Sequence, residues 1–311
     1  MGEAIERARD YTEKKLRELQ AALSELGGDN WSVVANGSYA RYEASPQSDF
    51  DYFILHDDTV VSDQLDELSE KVRRLVGSTI GRLPSSDGAF GATLPLGSLS
   101  RSIGGSSDGN DNITRRMLFI TEGKPINNSH IYDRQRDELI GRYINGDISD
   151  HQLGLFLLND MIRYYRTICV DFEFKTFEAS KAWGIRNIKL VFSRKILYFS
   201  GALIVAETAQ RHAEEKREIV RELVALPPIQ RIKRICRSAA DRALESYEIF
   251  LQAMECAQVR RMLEDVTSDR KTHVDQFKRL KNEGQHFSFH LMSALRSTYS
   301  EAHPIHRALI M

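Results

Sequence analysis

The chain has 311 residues, enough to bury a sizeable core and typical of two domains. Apolar residues make up 41% and charged residues 28%, an ordinary globular balance, and the formal net charge of −1 provides no overall basic field of the kind that marks a nucleic-acid binder. Cys169, Cys236 and Cys256 are scattered and form no C-x-x-C, which speaks against a disulfide scaffold and for free thiols in a reducing, cytoplasmic setting.

The first segment, MGEAIERARDYTEKKL, is charged throughout and does not read as a signal peptide, and no apolar run reaches the length of a membrane span. Ile5, Ala8, Tyr11, Leu16, Leu19, Leu23 and Leu26 recur at helical spacing, predicting a helix over 3–26 that GGDN ends. WSVVA (31–35) predicts a buried strand, YARYE a short helix after the NGS break, and DFDYFIL (49–55) a second strand. An amphipathic helix is expected over 62–80. Residues 84–111 are rich in Gly, Ser and Asp and predict a long loop, with a short strand near GATLPL. From 112 onward the pattern is helical: 112–123, 130–144, 150–178, 184–209, 211–225, 229–268 with a break, and 270–298. The fold class expected is α+β, a small mixed-sheet head followed by an all-helical domain. The domains are expected at 1–145 and 146–311, with the boundary at NGD.

The stretch NGSYARYEASPQSDFDYFILHDD, from Asn36 to Asp58, concentrates the chemistry. Asp49 and Asp51, two apart on an expected strand, share one face with α-carbons roughly 6.5–7 Å apart. Two carboxylates that close repel unless a cation lies between them. Mg²⁺ (or Mn²⁺) suits them, since it takes oxygen ligands and keeps positions for phosphates. Gly37 lets the backbone approach a ligand closely, and Ser38 stands where free N–H groups meet phosphate. Triphosphate on the turn and metal on the aspartates together predict nucleotidyl transfer from a nucleoside triphosphate.

GSYARYEASPQSDFDYFIL resembles the nucleotidyltransferase motif of the DNA polymerase β superfamily. Its G-S-x-A-R-x-E then S-D-x-D pattern looks closest to the branch of nitrogen-signalling uridylyltransferases and their stand-alone relatives. The resemblance implies that Gly37 and Ser38 bind triphosphate and that Asp49 and Asp51 bind metal. It also implies that Arg41 and Glu43 touch phosphate or pair with each other within the motif. SIGGSSDGNDNITRRMLFITEG and YYRTICVDFEFK…WGIRNIKLVFSRKILYFSG extend the likeness over much of 31–205 without naming a substrate. Such enzymes usually carry a third carboxylate that helps to activate the acceptor hydroxyl. FGATLPL, where it is expected, has none, so Asp108 and Asp111 of the loop are the candidates, with Asp87 near by and Asp111 also placed to cap a helix starting at Asn112.

In the helical domain, Lys189 and Ser193 fall one turn apart, and in related enzymes a Lys and a Ser of that domain close over the phosphates. Arg163, Arg166, Arg186, Arg194 and Lys195 add positive charge. Thr114, Arg115 and Arg116 are further candidates to face the site, one of the two arginines being expected at the surface. KREIVRELVALPPIQRIKRICR reads as a solvated basic face, or as contact for an oligonucleotide product. His286 and His290, with His273 as the nearest further ligand, read as packed or surface histidines. The apolar tail HPIHRALIM docks on the core or on a partner, and a homo-oligomer through the helical domain stays open. The function expected is template-independent, metal-dependent nucleotidyl transfer to a protein hydroxyl, an RNA end or a nucleotide, in a toxin or antiviral-defence setting. The alternative is a nucleotide-binding regulatory or antitoxin-like module with a degenerate site.

Overall fold

A computed structural model describes residues 2–83, 92–178, 182–269 and 274–310. Asp87, Gly88, Gly91 and His273 therefore lie outside the described residues. The chain divides into two compact units, one of residues 7–143 and one of residues 1–6 and 144–311.

The 7–143 unit holds most of helix α1 (Glu3–Ser24), strand β1 (Trp31–Ala35), the short helix α2 (Gly37–Ala40), β2 (Tyr52–His56), α3 (Ser62–Ile80), β3 (Thr93–Pro95), α4 (Asn110–Thr121), β4 (Lys124–Pro125) and α5 (Ser129–Tyr143). The four strands lie in the order β3-β2-β1-β4, with β1 antiparallel to both β2 and β4 and β2 parallel to β3. β1 is buried along its whole length, as its mostly apolar sequence suits in a central strand, with Ser32 the one polar residue in it. Leu16, Leu19 and Leu23 of α1 and Val72 and Val76 of α3 close the core over it. Gly81, at φ +84°, ends α3 in the left-handed conformation that glycine adopts without penalty. Where β4 gives out, Asn127 continues the pairing of β1: its Oδ1 accepts the Val33 N–H at 2.7 Å and its carbonyl accepts the Ser32 hydroxyl at 2.6 Å.

The other unit is helical: α6 (Leu155–Phe177), α7 (Trp183–Lys189), α8 (Lys195–Ala206), α9 (Ala213–Val224), α10 (Pro228–Cys236), α11 (Asp241–Glu255), α12 (Ala257–Glu264), α13 (Asp275–Thr298) and α14 (Ile305–Ala308). Residues Leu190–Arg194 form a π-helical turn joining α7 to α8. Phe192, in that turn, stacks on Phe250 at 4.8 Å and on Phe287 at 5.2 Å, with Tyr247 packed against all three rings. Glu248 of α11 accepts the N–H groups of Ala4 (2.5 Å) and Ile5 (3.0 Å), capping the start of α1. In the C-terminal tail Ile305 is fully buried, whereas Ile310 is exposed.

The α+β class holds, and most expected elements appear within a few residues. The run expected over 184–209 is interrupted by the π turn, and that over 229–268 breaks at Arg237, which has φ +51°, and again at Cys256. β4 and α14 have too few residues to show a period. The basic run from Lys216 to Arg237 is not simply a solvated face. Lys216 is buried and donates to the carbonyls of Asp150, Thr208 and Arg211, and Arg231 is buried and donates to those of Leu223 and Leu226 and to the Ser200 hydroxyl. Among the described residues no helix is long and apolar enough to cross a membrane.

Candidate active site

The site grows from the end of β1. Asn36 leaves the strand, and Gly37 turns the chain at φ +67°, in the region that favours glycine. The turn closes on itself: the Arg41 N–H donates to the Gly37 carbonyl at 3.1 Å and the Glu43 N–H to the Ser38 carbonyl at 2.8 Å. Gly37 is buried, and Ser38 is half-buried.

The aspartate pair stands immediately before β2 rather than on it. The ladder nonetheless runs on by one step, because the Asn36 N–H donates to the Asp51 carbonyl at 2.8 Å. That bond brings Asp51 beside the turn, and a Cβ built on Gly37 would lie 2.8 Å from Asp51 Oδ2. Phe50 points into the core edge-on to Tyr39 (5.0 Å), leaving Asp49 and Asp51 half-buried on either side of it. Asp49 makes no hydrogen bond or ion pair among the described residues. Burial chiefly, then the neighbouring Tyr11 and the charge of Asp49, hold the Tyr39 hydroxyl well above its usual range.

Beneath the turn lies a buried network, of which the sequence pointed to the Arg41–Glu43 pair and not to Glu122. Arg41 Nε donates to Glu43 at 2.8 Å, and Arg41 Nη1 donates to Glu122 at 2.7 Å. The second oxygen of Glu122 accepts the Gly37 N–H at 2.5 Å. Arg41, Glu43 and Glu122 are each 6% exposed. Arg41 therefore pairs within the motif with Glu43, as one of the two readings had it, and also with Glu122 from the end of α4. No motif signal singled out Glu122. Its place follows from the pairing of β4 with β1.

The two loop candidates differ. Asp108 is 4% exposed and forms a two-pronged ion pair with Arg116, both contacts at 2.7 Å, and it accepts the Gly104 N–H at 2.8 Å. Arg116 is also buried, so neither arginine of the Arg115–Arg116 pair is fully exposed, Arg115 being half-buried. Asp111 is exposed in the first turn of α4, which begins at Asn110 with Gly109 as its cap, so Asp111 lies inside the helix rather than capping it. In the helical unit Lys189 is half-buried at the end of α7, and Ser193 is 5% exposed in the π turn.

Among the described residues no group of three or more His, Cys, Asp or Glu side chains is arranged to hold a metal ion. The chemistry of Asp49 and Asp51 fits a hard divalent cation all the same. Mg²⁺ is commonly held by one or two carboxylates, with waters and substrate phosphates completing its shell. An unengaged, half-buried carboxylate such as Asp49 is a natural ligand for it.

Residues 16–81 match the family model described as a nucleotidyltransferase domain. The match takes in Gly37, Ser38, Arg41, Glu43, Asp49 and Asp51, and stops short of Asp108, Asp111, Glu122 and the helical unit. No curated protein matches the chain.

Proposed function

We propose that this chain is a template-independent nucleotidyltransferase of the EC 2.7.7 type, moving a nucleoside monophosphate from a (d)NTP to a hydroxyl acceptor. The observation that carries the reading is the close approach of Asp51 to Gly37, inside the segment that matches a nucleotidyltransferase domain. In the reaction the acceptor oxygen bonds to the α-phosphorus, the bond to the β-phosphate bridge breaks, and pyrophosphate leaves with the electron pair. Asp49 and Asp51 hold Mg²⁺ or Mn²⁺, which when bound neutralises charge on the triphosphate oxygens. Gly37 and Ser38 form the phosphate-facing turn. Its shape is fixed from below by Arg41 rather than by direct contact of Arg41 with the donor. Lys189 and Ser193 are further donor-binding residues of the helical unit.

The acceptor proton needs a base, and of the two loop candidates Asp111 is the one with an exposed carboxylate. Both oxygens of Asp108 already serve Arg116, and freeing them would leave a guanidinium buried without its carboxylate. The uridylyltransferase-like branch is the relationship that the motif favours. The acceptor is a protein hydroxyl, an RNA end or a second nucleotide, and a toxin or antiphage-defence role in the cytoplasm is the setting proposed for it. Equilibrium binding of each (d)NTP with and without Mg²⁺ tests the reading: metal-dependent binding abolished by Asp49→Asn supports it, and metal-independent binding unaffected by that variant contradicts it.

A second reading has one observation in its favour. β3, which lies beside β2, is Thr-Leu-Pro and contributes no carboxylate. If Asp111 does not supply the base, the chain is a nucleotide-binding regulatory module with a degenerate site. Donor binding without turnover separates that reading from the first.

A further inference from the structure

Glu122 reaches the Gly-Ser turn from outside the segment that matches the family model. The pairing of β1 with β4 explains how. Ala35 stands opposite Lys124, so continuing the same antiparallel register by two residues sets Gly37 opposite Glu122. At that step the chain does not extend the ladder backbone to backbone. Gly37 has turned to φ +67°, and its N–H meets the Glu122 side chain instead.

The carboxylate serves two donors at once. One oxygen takes the N–H of Gly37, the first residue of the turn, and the other takes the guanidinium of Arg41, the residue that ends it. Glu122 is itself firmly placed. Its N–H and that of Gly123 both donate to the Leu118 carbonyl at 2.9 Å. Gly123 leaves no room for a side chain, since a Cβ there would lie 2.7 Å from the Tyr132 hydroxyl and 3.0 Å from the Phe119 carbonyl. That hydroxyl in turn lies 2.5 Å from the Phe119 carbonyl and 2.8 Å from that of Gly123, either of which can take its proton. The end of α4 is thus a fixed post against which the turn is held.

We propose that Glu122 is a positioning residue for the transfer reaction: by clamping Gly37 and Arg41 together it holds the turn against Asp51. The inference rests on the transferase reading above. Losing the clamp leaves the Gly37 N–H buried without an acceptor, which a backbone avoids by moving. The Gly37 turn then shifts relative to Asp51 Oδ2, and a small displacement of a ligand-bearing group is enough to slow chemistry by orders of magnitude. Glutamine has the shape of glutamate but sets an NH2 donor where one of the two oxygens stood, so it meets the Gly37 N–H or the Arg41 guanidinium donor to donor. Aspartate keeps two acceptors on a stem one methylene shorter.

The test uses the full chain with Glu122→Gln and Glu122→Asp, read three ways: exchange of the Gly37 amide by NMR, steady-state transfer of label from the (d)NTP, and melting temperature. The clamp predicts a protected Gly37 amide in the unsubstituted protein. It also predicts a Glu122→Gln protein that is folded at the assay temperature with kcat reduced about tenfold or more, and partial recovery of kcat in Glu122→Asp. A folded Glu122→Gln protein with undiminished kcat overturns the proposal, and so does rapid exchange of the Gly37 amide in the unsubstituted chain. If Glu122→Gln does not fold, Glu122→Asp decides the matter, because a merely structural role lowers its melting temperature and leaves kcat per folded molecule unchanged. If the unsubstituted chain transfers no label from any (d)NTP, the transferase reading falls, whereas Gly37 amide exchange still reports whether the clamp exists.

Discussion

Gly37 and Asp51 are built against each other: the carboxylate oxygen of Asp51 stands 2.8 Å from the point a Cβ of residue 37 would occupy. Gly37 also sits at φ +67°, so a side chain there meets backbone strain and the carboxylate together. Gly37→Ala is expected to lose about 1–2 kcal/mol of stability from the left-handed backbone alone and to abolish transfer. Urea unfolding and a labelled-nucleotide assay check the two halves of that expectation separately.

Arg41 pairs with two buried carboxylates, so its removal takes a cation from both. Arg41→Met should destabilise the protein by about 3–5 kcal/mol, the range for breaking a buried ion pair by deleting one partner. The measurement is the denaturant midpoint with its slope unchanged. A shift of less than about 1 kcal/mol, the size of a surface pair, would show that the network is open to water.

The two loop aspartates should respond in opposite ways. Asp108→Asn breaks the buried pair with Arg116 and should lower the melting temperature clearly. Asp111→Asn removes an exposed charge from the first turn of α4, an effect of about 0.3–1 kcal/mol, and should instead lower turnover. Thermal melts and assays on both variants are the check, and full turnover in Asp111→Asn would favour the degenerate-site reading.

Lys189→Ala should weaken (d)NTP binding about tenfold or more, the scale of a lost charge-assisted hydrogen bond, with little change in melting temperature. Titration calorimetry reads this directly, and unchanged affinity would remove Lys189 from the donor site.

The C-terminal segment should be sensitive to acid. Burial chiefly, and then the neighbouring His306, hold the His303 imidazole below its usual range. His303 Nδ1 accepts the Ile305 N–H at 3.2 Å, and its ring packs on Tyr299 at 4.5 Å. A histidine whose folded pKa is depressed binds its proton more readily when unfolded, so its contribution to stability is present above the ordinary histidine value, about 6.5, and declines as pH falls through that value towards the lower folded one. Protection of the amides over 299–310, taken as their exchange relative to the intrinsic rate at each pH, should fall below about pH 6.5 in the native chain, and His303→Gln should flatten that dependence.

Much of the fold was legible because its elements carry periods. α1 and α3 show helical stripes, and β1 is a short, mostly apolar, β-branched run bounded by Gly, Asp and Asn, as a buried strand is. The turn at Gly37 and the aspartates beside it were legible as one cluster because their residue types and spacing fall together in a short stretch inside the segment that matches a nucleotidyltransferase domain. Glu122 was not, since one acidic residue at a helix end looks like any solvated carboxylate until β4 pairs with β1, and β4 is only two residues long. Asp108 carried no sign of its burial, since nothing in a Gly-rich loop marks one aspartate for the interior, yet Arg116 in the second turn of α4 pairs with it there.

The central claim is that Asp49 and Asp51 jointly support nucleotidyl transfer, and incubation of the purified chain with each labelled (d)NTP and Mg²⁺ or Mn²⁺, with and without added RNA or lysate, tests it most directly. The expected result is a labelled acceptor formed only with divalent metal and lost in Asp49→Asn and in Asp51→Asn, both variants melting close to the unsubstituted protein because Phe50 and Phe53 remain buried. Label transfer that survives Asp51→Asn, or that proceeds equally well in excess chelator, would contradict it.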